Sequence, residues 1–357
     1  MKTSLKIMLS LSAFFFLTAC GGSDDNPEIP SEMMYFPPLT GTTWETKSIT
    51  ELNWNESAVQ PLLDYLNLKH AKSFMILVDG KIVMENYFNG HDANAPWYWA
   101  SAGKTLTSAV TGIAEQENLL SINDPVSTYL PAWTSLPTAE ENQILIKHLL
   151  TMTSGLLDEG NEDCVTPACL TFAAAPGTRW AYDNVYVKLQ DIVASASGQT
   201  WNDYFNAKLR NKIGMTGAWV QTGDLSVYWS TTRSMARFGL LMLNNGKWDT
   251  DQVLNSSYAV SATVPSQTIN KSYGYLWWIN GESSYHLPQT QFEFPGSIIP
   301  SGPSDMYMAL GKNDQKIYVI PSKKMVVIRM GDAADEEAAT LSDFDELLWQ
   351  KINALYN

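Results

Sequence analysis

The chain has 357 residues, of which 45% are hydrophobic and 17% are charged, and this composition is typical of a globular protein rather than a disordered one. Its formal net charge of −14 at pH 7 repels phosphate backbones, so nucleic acid is an unfavourable partner. The length fits one large domain or two closely packed ones.

The N-terminal residues have the pattern of an export signal. Lys2 and Lys6 give a positively charged start, and an apolar run, Ile7 to Leu17, follows. This run is shorter than the roughly twenty residues that a membrane-spanning helix needs, but it suits a signal peptide. It ends in L-T-A-C at Cys20, which resembles a bacterial lipobox. We therefore predict a signal peptide at 1–19 and a lipid on Cys20; an ordinary secretory signal with a coincidental cysteine is the alternative.

The segment 20–45 begins with small and polar residues and predicts a flexible tether. We expect an exported protein that is lipid-anchored to the bacterial envelope, facing the periplasm or the surface, and not threaded through the membrane. The oxidising context favours a disulfide between Cys164 and Cys169. The four histidines are scattered and have no metal-site spacing, so we expect no metal and no cofactor.

The folded part, predicted at 46–357, opens with a hairpin from Ser73 to Phe88, because Asp79-Gly80 separates two β-rich runs. The middle, about 105–265, has mostly helical periodicity broken by loops. Three strand-like runs and an amphipathic closing helix follow. The runs are Met306–Gly311, Lys316–Ile320 and Met325–Met330. This order predicts an α+β fold, with an antiparallel sheet built from both termini, flanked by helices, and an inserted mainly helical region.

The motif S-A-G-K places Ser101 and Lys104 at the start of a helical stripe. Residues three apart share a helix face, so Lys104 can reach the Ser101 hydroxyl. A serine nucleophile needs a base, and burial lowers the pKa of a lysine toward neutrality. Free N–H groups at the helix start can face a developing oxyanion. The same letters also fit a helix cap followed by a solvated lysine.

A second candidate motif is Y-D-N, with Tyr182, Asp183 and Asn184. The bare pattern Y-x-N occurs at three other places in the chain, but this copy follows the turn P-G-T-R-W and precedes a helical stripe. A tyrosine at such a junction can point into a cleft. Near a lysine, its phenol can act as an acid or a base.

The ordered set W-Y-W-A-S-A-G-K, H-L-L-T-M-T-S-G-L and P-G-T-R-W-A-Y-D-N closely resembles the serine β-lactamase and penicillin-binding family. The nearest branch is the class C-like one, with its esterases and nylon-oligomer (6-aminohexanoate-dimer) hydrolases. The resemblance covers about residues 50–355 and implies the β-lactamase/DD-peptidase-like fold, with the active site between its two regions. It also implies that Ser101 is the acylated nucleophile, Lys104 its base partner and Tyr182 the proton relay, and that Asn184 holds Lys104 or the substrate.

The family's third motif is usually K-T-G or H-x-G on a sheet edge, and the stretch Ala309 to Gly311 corresponds to it here. The resemblance then implies that the backbone N–H groups of Ser101 and Lys312 form the oxyanion hole. It also implies that Trp99, Ala309 and Gly311 contact the substrate. A cation in this motif normally binds the carboxylate of β-lactams.

Ala309 cannot provide that cation, and Asp183 adds negative charge, so both departures argue against a dedicated β-lactamase or transpeptidase. We expect a serine hydrolase that cleaves a small-molecule ester or amide through an acyl-enzyme on Ser101. A β-lactamase or D-amino-acid peptidase is an alternative, in which Lys312 or Arg329 supplies the missing cation. A non-catalytic surface lipoprotein is another. An esterase of the G-x-S-x-G type is excluded, because that motif is absent from the sequence.

Overall fold

The strands from the two ends of the chain lie side by side in one antiparallel sheet in the computed structural model, which describes residues 34–158, 163–335 and 343–356. The predicted signal peptide and the lipidation residue Cys20 lie outside these ranges. The strands are β1 (Ala71–Val78), β2 (Lys81–Tyr87), β3 (Trp97–Tyr98), β4 (Ala218–Thr222), β5 (Leu225–Ser230), β6 (Lys247–Trp248), β7 (Asp251–Gln252), β8 (Trp278–Ile279), β9 (Ser284–His286), β10 (Glu293–Pro295), β11 (Tyr307–Gly311), β12 (Gln315–Ile320) and β13 (Met325–Gly331).

The helices lie mainly between the N-terminal hairpin and the C-terminal strands. They are α1 (Val59–Leu68), α2 (Lys104–Gln116), α3 (Thr138–Glu141), α4 (Ile146–Leu150), α5 (Lys188–Ser197), α6 (Trp201–Phe205), α7 (Thr232–Leu243), α8 (Ser256–Ala262) and α9 (Asp343–Tyr356). Within the described ranges, none is long and apolar enough to cross a membrane.

The six-stranded sheet has the order β2-β1-β13-β12-β11-β8, and every pair is antiparallel. The predicted hairpin is confirmed, since β1 and β2 pair across a turn at Asp79 and Gly80. Both residues have positive φ, 51° and 82°, as the tight turns that match strand twist require. The predicted fold class, with sheet strands from both termini, is confirmed.

Helices cover both faces of this sheet. Gly239 of α7 lies so close to β13 that a Cβ there would be 2.6 Å from Val326 Cγ1 and 3.1 Å from Ile317 Cγ2. On α9, Trp349 packs edge-on against Tyr318, with ring centroids 5.4 Å apart. Ile317 and Tyr318 are consecutive in β12, and consecutive side chains point to opposite faces of a sheet. Helices α7 and α9 therefore lie on opposite faces.

A buried ionic network attaches α9 to the sheet. The fully buried Lys316 Nζ lies 2.9 Å from Asp345 Oδ2 and 3.2 Å from Asp314 Oδ1. The Tyr318 hydroxyl donates to Asp345 as well. Because a buried charge without a partner is costly, this network constrains where the closing helix packs.

Two strands of the inserted region, β4 and β5, form a small sheet with β3, which precedes that region. It has the strand order β3-β5-β4, and Trp97 and Tyr98 of β3 pair with Ser230 and Trp229 of β5. The sequence analysis described this region as mainly helical and did not predict these strands. They matter for the site because β3 leads directly into the turn that carries Ser101.

The predicted tether is shorter than expected at its C-terminal end. Trp44 is buried and its indole N–H donates to the Gly80 carbonyl at 2.8 Å. Phe36 packs edge-on against Trp248, with centroids 5.1 Å apart, and the Pro38 carbonyl accepts from Arg237 Nη2 at 2.7 Å. The stretch 34–45 is therefore packed on the folded part and is not a flexible linker.

Candidate active site

Ser101 lies in a short 3-10 turn, Ala100–Gly103, between β3 and α2. The preceding residue, Ala100, has φ of 47°, a left-handed conformation that non-glycine residues adopt only when the surroundings hold them there. Two hydrogen bonds of Trp99 fix the backbone next to Ala100. The backbone N–H of Trp99 donates to Tyr228 O at 2.8 Å, and its indole N–H donates to Ser230 Oγ at 2.7 Å.

Lys104 begins α2 and points back at Ser101. Its Nζ donates to Ser101 Oγ at 3.1 Å and to Asn184 Oδ1 at 3.0 Å, and the residue is only 2% exposed. The same nitrogen lies 4.9 Å from the ring centroid of Tyr182 and 4.1 Å from that of Tyr186. The structure thus brings the S-x-x-K and Y-x-N motifs together around one buried amine.

Tyr182 completes this group on the other side. Burial raises the pKa of its phenol well above the usual value. Side-chain hydrogen bonds with Ser101 and the Trp278 indole lower this pKa, but by less than burial raises it. The phenol is therefore protonated near neutral pH and can act as a proton donor. Sequence reasoning did not identify Trp278, which comes from the short edge strand β8.

Aromatic rings fix the position of Tyr182. Its ring centroid lies 5.4 Å from Trp278, 6.1 Å from Tyr273 and 6.2 Å from Trp180. Tyr273 and Trp180 also pack edge-on against each other, at 5.4 Å. Such packing restricts ring rotation, so the phenol can point in few other directions.

Strand β11 lies directly against the turn that carries Ser101. A Cβ on Gly311 would be 2.4 Å from Trp99 O and 2.9 Å from Ala102 N, so only glycine allows this approach. Lys312 follows immediately and lines the same cavity as Ser101. The two predicted oxyanion donors, the backbone N–H groups of Ser101 and Lys312, therefore belong to two segments in direct backbone contact.

A cavity of about 790 Å³ opens over these groups. Ser101, Lys104, Tyr182 and Asn184 line this cavity. Cys164 and Cys169 also line it, and they form a disulfide. In the parts of the chain that the structure describes, no cluster of three or more His, Cys, Asp or Glu side chains could hold a metal ion.

Three of the predicted substrate contacts need correction. The side chains of Trp99 and Ala309 are fully buried and lie behind the cavity wall, so neither can touch a substrate. Gly311 is also buried, and it contacts the turn that carries Ser101. Arg329 cannot supply a cation to the site, because it is fully buried and donates to the Asn313 and Lys69 carbonyls at 2.8 and 2.7 Å.

Asp183 places a carboxyl group in the cavity wall. Burial raises its pKa to about 7; the Val185 N–H and Lys104 act against this rise, and Asp158 adds to it. Its Oδ1 accepts from Val185 N at 3.0 Å, whereas its buried Oδ2 has no hydrogen-bond partner among the described residues. The carboxyl therefore titrates near neutral pH, in the same cavity as Lys104 and Tyr182.

The chain is similar in sequence to several known proteins. The Beta-lactamase family model matches residues 70–345. An uncharacterized protein of Alkalihalophilus pseudofirmus is 24% identical over 296 residues, which are 72% of this chain and 82% of that protein. The putative penicillin-binding protein PbpX of Bacillus subtilis is 32% identical over 178 residues, so the match spans 44% of either chain.

A solved structure shares the fold over most of the molecule. The putative 6-aminohexanoate-dimer hydrolase from Bacillus anthracis superposes with a TM-score of 0.68 at 19% identity, covering 90% of this chain and 89% of that one. At this identity, the similarity establishes the fold.

The raised pKa of Asp183 predicts a specific pH dependence of stability. Between about pH 4 and 7 the folded protein keeps a proton on Asp183 that the unfolded chain has lost, so the contribution of this group falls as pH rises. Asp183→Asn cannot titrate and keeps the Val185 acceptor. The free energy of unfolding of the variant minus that of the wild type should therefore be about 1–2 kcal/mol larger at pH 8 than at pH 5. The upper limit of this change is about 1.4 kcal/mol for each unit by which the pKa is raised.

Urea denaturation at the two pH values measures this difference, and the exposed Asp191→Asn is the control for a general charge effect. A difference between Asp183→Asn and wild type that stays constant with pH would contradict the assignment.

Proposed function

The chain belongs to the beta-lactamase family, whose members are serine hydrolases, and on this premise we propose that it cleaves ester or amide bonds of neutral small molecules through an acyl-enzyme on Ser101. One observation supports the proposal most strongly. Lys104 Nζ lies 3.1 Å from Ser101 Oγ at the floor of a cavity large enough for a small-molecule substrate.

Acylation begins with the unprotonated form of the Lys104 amine. Ser101 Oγ attacks the carbonyl carbon and passes its proton to Lys104, and the carbonyl oxygen becomes an oxyanion facing the backbone N–H groups of Ser101 and Lys312. The bond to the leaving group then breaks. The leaving oxygen or nitrogen takes a proton from Tyr182, which regains one from Lys104.

Deacylation reverses the proton path. A water molecule attacks the acyl carbon and gives its proton to the Tyr182 and Lys104 pair, and Ser101 Oγ leaves with a proton returned from the same pair. The raised pKa of Tyr182 favours a neutral phenol, which suits a group that donates a proton to the departing atom. Asn184 holds the Lys104 amine through the contact between Nζ and Oδ1.

The charge of the cavity argues for a neutral substrate. Asp163 and Asp183 line it, and Asp158, which also lines it, is paired with Arg179 at 2.6 Å. The family's third motif has no cation here, because alanine occupies position 309. A charged hydrogen bond to a carboxylate is worth about 1.5–3 kcal/mol, so its loss removes roughly one to two orders of magnitude in affinity for a carboxylated substrate.

A β-lactamase or D-amino-acid peptidase is the second candidate, and one observation favours it. The side chain of Lys312 is exposed and lines the cavity, so its ammonium group can approach a substrate carboxylate. Under this alternative, Lys312 takes the part that the family gives to the third-motif cation.

Mutations at the proton-handling pair test the proposed mechanism. Lys104→Ala and Tyr182→Phe should each lower kcat by about 10² or more, the usual scale for a positioned acid or base. The factor by which kcat falls in the double variant should be much smaller than the product of the two single-variant factors, because the residues act as one unit. Steady-state kinetics on p-nitrophenyl acetate measures both effects. Tyr87→Phe, at another Y-x-N match, is the control and should keep the wild-type rate; a Tyr182→Phe rate close to wild type would remove Tyr182 from the mechanism.

Substrate preference separates the two candidate functions. We expect measurable hydrolysis of short neutral esters and weak or absent hydrolysis of a chromogenic cephalosporin. Lys312→Ala should leave the ester kcat/KM within about threefold of wild type, since only the backbone of Lys312 serves the oxyanion. A cephalosporin kcat/KM above that of the best ester, lost in Lys312→Ala, would establish the second candidate instead.

We also propose that the protein is exported and attached to the envelope by lipid on Cys20. Support comes from the sequence, where a charged start and a short apolar run precede L-T-A-C. Cys20→Ser should abolish incorporation of labelled palmitate and move the protein out of the detergent-soluble membrane fraction or leave it unprocessed. A Cys20→Ser protein that still incorporates palmitate would show that lipid is attached elsewhere.

A further inference from the structure

The loop that the disulfide between Cys164 and Cys169 closes forms part of the wall of the Ser101 cavity, and we call it the disulfide loop. The residues of the loop and its flanks that line the cavity are Asp163, Cys164, Val165, Cys169, Leu170 and Thr171. None of them takes part in the proton transfers described above. The loop therefore borders the space for the substrate without being part of the reacting group.

Hydrogen bonds attach the C-terminal end of the disulfide loop to the rest of the molecule. Leu170 O accepts from Ser135 N at 3.1 Å and from Ser135 Oγ at 3.0 Å. Thr171 O accepts from Leu157 N at 2.9 Å. The side chain of Leu170 is also 2% exposed and belongs to the hydrophobic core. The position of Cys169, directly before Leu170, is therefore fixed.

The N-terminal side of the loop has no such attachment. Residues 163–165 make no backbone–backbone hydrogen bond to another described segment. Val165 is buried, yet it lies outside the main hydrophobic core. The hydroxyl of Thr166 lies 3.3 Å from Cys164 Sγ and 3.7 Å from Cys169 Sγ, within the loop. The disulfide therefore cross-links the side of the wall without such bonds to the side that hydrogen bonds fix.

Breaking this disulfide should have a local effect. A disulfide stabilises a fold more when it closes a longer loop, and these two cysteines are only five residues apart. The reacting groups are held by other elements, because Lys104 Nζ donates to Asn184 Oδ1 and the ring of Tyr182 packs against Trp278. Loss of the disulfide should therefore change the cavity wall and leave the groups that transfer protons in place.

We propose that the disulfide loop is a redox-sensitive part of the substrate-binding wall, in which the bond between Cys164 and Cys169 holds Val165 against the bound substrate. The oxidised protein then binds its substrate more tightly than the reduced protein does. This inference rests on the proposed hydrolytic function of Ser101 and adds an element that acts on binding rather than on the chemical step. Reduction by a phosphine breaks the S–S bond. The phosphine gives two electrons and becomes its oxide, and one water molecule supplies the oxygen of that oxide and the protons of the two thiols.

Reduction of the full chain with tris(2-carboxyethyl)phosphine tests the proposal. KM for p-nitrophenyl acetate should rise by about three- to tenfold, the scale of losing part of the contact with one aliphatic side chain, while kcat stays within about twofold. The double variant Cys164→Ser, Cys169→Ser should have the same raised KM and should not respond to the phosphine. Circular dichroism should show that the reduced protein is folded at the assay temperature.

Val165→Ala tests whether the wall acts through this side chain. KM should rise by about threefold, and reduction of this variant should add less than twofold, because both changes remove the same contact. Val264→Ala, at a 43% exposed valine just after α8, is the matched control. It should keep the wild-type KM and the full response to the phosphine.

An unchanged KM after complete reduction, verified by thiol titration, overturns the proposal. A lower kcat with an unchanged KM also overturns it, since the disulfide would then support the reacting groups, and so does unfolding on reduction. Failure of the proposed function is a different result, namely no turnover of any ester. In that case the probe is the ketone 1-(4-nitrophenyl)propan-2-one, whose binding is followed by tryptophan fluorescence. Binding that weakens by about three- to tenfold on reduction supports the proposal, and equal binding overturns it.

Discussion

The contact between Gly311 and the turn at Trp99–Ala102 is the constraint on which the site depends. It brings the end of β11, the strand next to the edge strand β8, within backbone distance of Trp99, which directly precedes the turn that carries Ser101. A Cβ at this position would be 2.4 Å from Trp99 O. Helices α7 and α9 pack on opposite faces of the six-stranded sheet and hold its strands between them. The position of β11 in the sheet therefore determines, through the Gly311 contact, where the backbone N–H groups of Ser101 and Lys312 lie relative to each other. Preorganised donors of this kind stabilise charge without reorganising during the reaction.

A second constraint is the buried amine of Lys104. Two tyrosine rings, the Ser101 hydroxyl and the Asn184 amide oxygen surround its nitrogen. These contacts orient the amine toward Ser101, as the proposed proton transfer requires. The buried ionic network around Lys316, by contrast, lies between the sheet and α9 and has a structural role.

The sequence predicted the parts of the fold that local patterns encode. The hairpin at Asp79-Gly80 was evident because two residues with positive φ must join its strands, and the S-x-x-K spacing placed Lys104 and Ser101 on one helix face. The strands β4 and β5 were missed, because helical periodicity dominates the sequence around them. A signal for them was present, since polar and apolar residues alternate directly after Gly223, which has φ of 60°.

Long-range packing explains the other departures. Trp99 and Ala309 were expected to touch substrate because they lie next to the motifs in the sequence. Their side chains instead belong to the buried core. The spacing of residues in a sequence does not indicate this direction. Trp278 was missed for the same reason, because it reaches Tyr182 from an edge strand of two residues.

The central claim is that Ser101 is the residue acylated during turnover. The most direct measurement is reaction of the purified protein with a fluorophosphonate probe, followed by intact-mass and peptide mass spectrometry, with Ser101→Ala treated in parallel. The account predicts one adduct per chain, located on Ser101, and none in Ser101→Ala. An adduct that maps to another residue, or that persists in Ser101→Ala, would contradict it.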